Sequence, residues 1–211
     1  MKKQQALLFV NGEPPEHYPI DLQNYQYIAC TDGAYHNYLS QTAIIPDFII
    51  GDLDSFDAKS SVPCTTQIIY TPDQNKTDFE KAILFLADKG ITTFTVYGAA
   101  GRSSDHFLGN LSVALQYHQQ FNITFYDNSC HFFFAKSGQT IHKVKDRIIS
   151  LLPFCQATGV SVTGVAYPLI NQNLTFGGLV SVRNKAISDV VEVVIETGTL
   201  LIFIENFYLS N

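Results

Sequence analysis

A chain of 211 residues with 46% hydrophobic and only 15% charged side chains can bury a full core without disulfide or metal staples, and this composition excludes an intrinsically disordered chain. Thirteen Lys plus Arg against nineteen Asp plus Glu leave a net charge of -6, and no basic block accompanies them, which argues against a nucleic-acid partner. No apolar run reaches the roughly eighteen residues of a membrane span, and the opening Met1-Lys2-Lys3-Gln4-Gln5 lacks the apolar length and cleavage pattern of a secretory signal.

From the N-terminus onward, short apolar runs at residues 6–10, 25–30, 48–50, 67–70, 93–97 and 122–126 read as strands. Their near-continuous hydrophobic character predicts a sheet covered on both faces. A short helix is expected near residues 34–39. Between the fourth and fifth strands, Thr77-Asp78-Phe79-Glu80 has the spacing of a capping box, with Thr77 as the cap and Glu80 three residues on. Phe79, Ile83 and Leu86 then form one apolar stripe, and Gly90 supplies a stop. A further helix starts near Ser104 and places Leu108, Leu111 and Leu115 on one face. Strands alternating with helices predict an α/β domain with a mostly parallel open sheet, residues 1–137.

The pattern changes near Lys136–Gln139. Short β-branched runs at 141–144, 148–152, 160–165, 174–176, 190–195 and 199–204 are separated by Gly, Asn, Pro or Asp, and no helical stripe lies among them. They predict a small all-β sandwich or barrel, residues 138–211. Cys30, Cys64, Cys130 and Cys155 fall in no CxxC or metal-finger spacing. They read as thiols in a reducing compartment, the cytoplasm.

Open α/β sheets bind ligands in a crevice at the carboxyl ends of their strands, and the polar residues gather there. In Gly51-Asp52-Leu53-Asp54-Ser55 glycine frees the turn, and two carboxylates at i and i+2 can approach one hard cation or form an ordinary acidic turn. Asp78, at a helix entrance, completes a Mg²⁺ site or simply favours the helix dipole, and Lys81 one turn on faces phosphate or a surface carboxylate. Asp73 reads as a turn residue. Asp32, in Cys30-Thr31-Asp32-Gly33-Ala34, contacts substrate or caps the next helix. The run Gly98-Ala99-Ala100-Gly101-Arg102-Ser103-Ser104-Asp105-His106 joins a strand to a helix. Its small residues admit a ligand to backbone N–H groups, and Arg102 adds charge. It is neither a lysine-ending phosphate loop nor the dinucleotide glycine pattern, and the chain has no GxSxG elbow or HExxH. Acidic turns beside a phosphate cradle suit Mg²⁺-assisted phosphoryl chemistry better than hydride transfer, without separating kinase, phosphatase and nucleotidyltransferase.

Taken in order, Asp32-Gly33, Pro46 through Gly51-Asp52-Leu53-Asp54-Ser55, Thr77-Asp78-Phe79-Glu80-Lys81, Gly98 through Asp105-His106 with Asn110-Leu111, Thr163-Gly164-Val165-Ala166-Tyr167-Pro168-Leu169, and Leu174 through Ser181 with Asn184 resemble the thiamine pyrophosphokinase family over nearly the whole chain. The resemblance implies an α/β catalytic domain followed by a β-sandwich, a homodimer with composite active sites, and transfer of pyrophosphate from ATP to the hydroxyl of thiamine, giving thiamine diphosphate and AMP. It implies Asp52, Asp54 and Asp78 as the catalytic Mg²⁺ centre. It implies Asp32, Gln74, Thr77, Lys81, Arg102 and Asp105 on the nucleotide side, and Ser181 and Asn184 on the thiamine side. The chain departs from the family's usual pattern in having Leu53 for phenylalanine, Asn75 for aspartate and Arg183 for serine. A Mg²⁺-dependent transferase or ordinary kinase acting on another hydroxyalkyl heterocycle, and a nucleotide- or thiamine-binding regulator without turnover, are the alternatives.

Overall fold

The computed structural model describes residues 4–54 and 62–206; Ser55 of the acidic motif lies outside them, as do Met1, Lys2 and Lys3. The chain forms two compact units, Met1–Asn128 and Ser129–Asn211.

In the first unit the order is β1 (Gln5–Phe9), β2 (Tyr27–Thr31), α1 (Asp32–Asn37), β3 (Phe48–Gly51), β4 (Gln67–Tyr70), α2 (Asp78–Asp88), β5 (Thr93–Tyr97), α3 (Ser104–Tyr117) and β6 (Asn122–Tyr126). The sheet runs β4-β3-β2-β1-β5-β6 with every pair parallel. Leu7, Leu8 and Phe9 of β1 and Ile49 and Ile50 of β3 are buried, as expected of strands covered on both faces. The sequence pattern overstates the cover of β4: Ile68 is 43% and Tyr70 62% exposed, because among the described residues β4 pairs with β3 alone.

The helices follow their local chemistry. The Thr77 hydroxyl accepts the backbone N–H of Glu80 at 3.2 Å, and α2 buries Phe79, Ile83 and Leu86 against β2 and β3. In α3 the buried residues are Leu111, Val113 and Ala114; Leu108, expected on the same stripe, is 60% exposed. Chain order reverses at β1, with β2 on one side and β5 on the other. The loops after β1, β2 and β5 therefore diverge around a crevice at the strands' carboxyl ends.

The second unit contains β7 (Cys130–Phe134), β8 (Gln139–His142), β9 (Ile148–Thr163), β10 (Leu169–Thr175), β11 (Ser181–Lys185), β12 (Val190–Val194) and β13 (Thr197–Glu205). It begins earlier than the change of pattern near residue 137 suggests, because Cys130–Phe134 is a strand paired antiparallel to β13. The separate runs at 148–152 and 160–165 also prove to be parts of one strand, β9. Its first part pairs with β11 and its second with β10 and β12, while β13 follows it through both. The left-handed residues Cys155 (φ 67°) and Gly159 (φ 61°) bend the strand, so that it serves both layers of the sandwich. Ile149, Leu151, Val160, Val162, Val191, Val193, Ile202 and Ile204 fill the space between them, at the alternate positions that a two-layer packing requires.

Gly198 sits where β13 follows that bend, at φ 89°, and a Cβ there would overlap the carbonyl oxygen of Gln156. Gly198→Ala should therefore destabilise the second unit by roughly 1–3 kcal/mol. A denaturation midpoint equal to that of the unaltered protein would contradict this account of the bend.

Candidate active site

Asp32, the first residue of α1, is 2% exposed. One carboxylate oxygen accepts the N–H of Gly33 at 2.7 Å and the other the N–H of Leu53 at 2.9 Å. The second bond ties the end of β2 to the acidic turn after β3. Gly51 makes the approach possible: a Cβ there would overlap the Asp32 carboxylate. The glycine of the acidic motif thus provides room rather than turn freedom, and it is Leu53 (φ 62°) that takes the left-handed conformation. Burial pushes the Asp32 carboxyl above the ordinary carboxylate range, and the charges of Asp78 and Asp52 add to the shift, while the two N–H donors oppose it.

Asp52 leaves the same turn. It accepts Gln74 Nε2 at 2.9 Å and the N–H of Asp54 at 3.3 Å. These bonds, with Lys81 as a smaller contribution, hold its carboxyl below the usual range. Asp32, Asp52 and Asp54 each bring a carboxylate oxygen to within 4.8 Å of the others. Among the described residues this is the set that fits a hard divalent cation: oxygen donors only, with excess negative charge. Asp78 stands differently from the expected third ligand. Its carboxylate pairs with Lys81 Nζ at 3.1 Å, a local contact one helical turn apart, though it lines the same crevice. The Lys81 side chain is 4% exposed, and its ammonium also lies 3.8 Å from Asp52 Oδ2. Lys81 thus pairs with carboxylates, as one of its two readings expects, but at the crevice wall rather than on an open surface. Asp73 forms a turn, accepting the N–H of Asn75 at 2.9 Å and pairing with Lys76 at 2.7 Å.

The small-residue turn after β5 is braced by the segment after β1. The N–H groups of Gly12 and Glu13 donate to the carbonyls of Gly98 and Ala100 at 2.6 and 2.7 Å, and Asn110 Nδ2 donates to Ala99 O at 2.9 Å. Arg102 is held by Asn11, whose Oδ1 accepts Arg102 Nη1 at 3.0 Å and Asn37 Nδ2 at 2.7 Å. The amide is a neutral partner, so no carboxylate offsets the guanidinium in this contact. Asp105 is bonded to Ser103 Oγ and to its own helix through the N–H of His106, and the Ser103 bond is the largest cause of its lowered pKa. Asp52, Gln74, Thr77, Asp78, Lys81 and Asp105 line one crevice of about 310 Å³, within the range of small-molecule sites.

Ser181 and Asn184 belong to the second unit, where β11 pairs with β9. Asn184 is 4% exposed. Its amide group donates to Tyr167 O at 2.7 Å and accepts Tyr167 N at 3.1 Å, so within this unit it pins the Tyr167 backbone. Sequence reasoning passed over Asn11 and Thr31, which also line the crevice. Their positions just past β1 and at the end of β2 were the signal available.

Two family patterns match. "Thiamin pyrophosphokinase, catalytic domain" covers residues 20–125 and "Thiamin pyrophosphokinase, vitamin B1 binding domain" covers residues 138–202. The chain is 27% identical to a thiamine pyrophosphokinase of Bacillus subtilis over 71% of its own length and 73% of the relative's. It is 26% identical to thiamin pyrophosphokinase 1 of Caenorhabditis elegans over 93% and 86%. A solved thiamin pyrophosphokinase from Geobacillus thermodenitrificans shares the fold with a TM-score of 0.81 at 21% identity, over 98% of this chain and 100% of that one. With both patterns present in order along one chain, the protein belongs to the thiamin pyrophosphokinase family and is an enzyme of that family.

Proposed function

We propose that the protein transfers the terminal pyrophosphate of ATP to the hydroxyl of thiamine, and that Asp32, Asp52, Asp54 and Asp78 form the carboxylate wall at which this occurs. The carboxylate cluster of the first unit carries the reading: three oxygens within 4.8 Å of one another, offset by a single buried ammonium, are arranged for a cation. Asp52 and Asp54 would hold Mg²⁺ with Asp32 behind them and Asp78 on the helix side; when bound, the ion neutralises phosphate charge and aligns the phosphate oxygens.

The chain's own groups supply the remainder. Lys81 reaches the crevice with its ammonium fixed between Asp78 and Asp52, where a phosphate oxygen can share it. Arg102 and the backbone N–H groups at the start of α3 offer a second anion contact. Gln74 fixes Asp52, and Asp52 or Asp54 orients the attacking hydroxyl and accepts its proton. Attack at the β-phosphorus forms the new P–O bond while the bond to the α-phosphate oxygen breaks, and AMP departs. We assign the second unit, with Ser181, to the thiamine side and to a homodimer with composite sites. The exposed Tyr167, Ile170 and Phe176, at 76%, 77% and 78%, support a surface that is covered in an assembly. The four cysteines are thiols, not disulfides, which suits the cytoplasm.

Phosphorus NMR with ATP, Mg²⁺ and thiamine should show AMP and thiamine diphosphate in equal amounts. ADP with thiamine monophosphate would overturn the proposal. Asp52→Asn and Asp54→Asn should each lower kcat by about 10²-fold or more. Mg²⁺ alone should raise the melting temperature of the unaltered protein and do so less in either variant; equal shifts would remove these residues from the cation site. If the sites are composite, mixing inactive Asp54→Asn with an inactive Ser181→Trp protein should restore roughly a quarter of full activity through mixed dimers. No recovery in a mixture proven to exchange subunits would place both sides of the site in one chain.

A further inference from the structure

One polar group on the crevice wall has no part in the phosphate chemistry above. Thr31 ends β2, lines the crevice and is 2% exposed. It holds the N-cap position of α1 in an extended conformation (φ -74°, ψ 156°), yet its side chain makes no cap hydrogen bond. Among the described residues its Oγ1 is buried without a hydrogen-bond partner. An N-cap threonine ordinarily gives its oxygen to a first-turn N–H. Here the adjacent Asp32 carboxylate binds the N–H of Gly33, and the threonine hydroxyl is not drawn into the helix. Buried hydroxyls in folded proteins are almost always partnered, and this one belongs to a crevice whose charged members are already committed. Lys81 and Asp78 pair with each other, and Asp52 is bonded to Gln74.

We propose that Thr31 is a ligand-contact residue of the nucleotide subsite, its Oγ1 hydrogen-bonded to an oxygen of the bound nucleotide, either a ribose hydroxyl or a phosphate oxygen. A hydroxyl both donates and accepts, so it serves either oxygen without adding charge to a wall already rich in carboxylates. The assignment rests on the reading that ATP occupies the crevice of the first unit.

Thr31→Val keeps the side-chain shape and removes the hydroxyl; Thr31→Ser keeps the hydroxyl. Calorimetry in Mg²⁺ buffer with adenosine and, separately, inorganic pyrophosphate distinguishes the two oxygen sources. The valine variant should bind one of these ligands at least about fivefold more weakly, the serine variant should stay within about twofold, and thermal unfolding of the valine variant should come no earlier than that of the unaltered protein. Loss confined to adenosine identifies the ribose, and loss confined to pyrophosphate the phosphate. Unchanged affinity for both ligands in Thr31→Val overturns the proposal. If valine lowers the melting temperature, Thr31→Ala must show the same selective weakening, or the proposal fails. Should the unaltered protein bind neither adenosine nor pyrophosphate, the nucleotide reading of the crevice falls and takes the proposal with it.

Discussion

The acidic turn of the first unit is arranged around a buried carboxylate that bonds two backbone N–H groups, one in its own helix and one in the turn after β3. Asp32 joins the start of α1 to the turn after β3 through Gly33 and Leu53. Its burial would be costly without those donors, and the room it occupies exists because residue 51 has no side chain. The left-handed Leu53 is held in an uncommon conformation by the same bond. Once this tie is made, Asp52 and Asp54 project from a turn whose path is fixed, and Gln74 and Lys81 meet Asp52 from the α2 side.

The electrostatic consequence is a site poised for positive charge. Asp32 is shifted up by burial first and by its acidic neighbours second, so the folded state holds its proton more readily than the unfolded chain does. Ionising it therefore works against folding as pH rises through the shifted range, and that opposition relaxes as pH falls. A bound cation would act against the proton, by favouring the ionised form. Asp52 is already held low by Gln74 and the turn N–H, so the two carboxylates differ in how firmly they hold protons despite their proximity.

Much of this was legible in the sequence where the cause is local. The Thr77–Glu80 cap, the apolar stripe of α2 and the apolar runs of the first unit's strands all depend on residues a few positions apart, and each is visible as spacing. What escaped notice depends on distance along the chain. Asp32 reaches Leu53, Asn11 reaches Arg102, and Asn184 clasps Tyr167; no periodicity announces such partners. The reading of residues 148–165 as separate strands failed for another reason. Proline and positive-φ positions ordinarily end strands, but Pro153 and Cys155 sit at a bend within one strand, where its ladder to β13 shifts register. Leu108 was misplaced because a stripe of leucines shows which residues share a helix face, not how much of that face the sheet covers.

The long bent strand also bears on how the second unit is acquired during synthesis. β9 is hydrogen-bonded to β10, β11, β12 and β13, so four of the six ladders among the described residues of this unit have it as one rail. Its fullest partner, β13, is made last among the described strands, and β7 also pairs with β13. While the ribosome is still translating that segment, β7 and the first part of β9 would be exposed apolar edges without their main partner. The α/β unit, whose sheet is complete by Tyr126, has no such wait. A nascent chain of this protein therefore passes through an interval in which one half can be folded while the other cannot close.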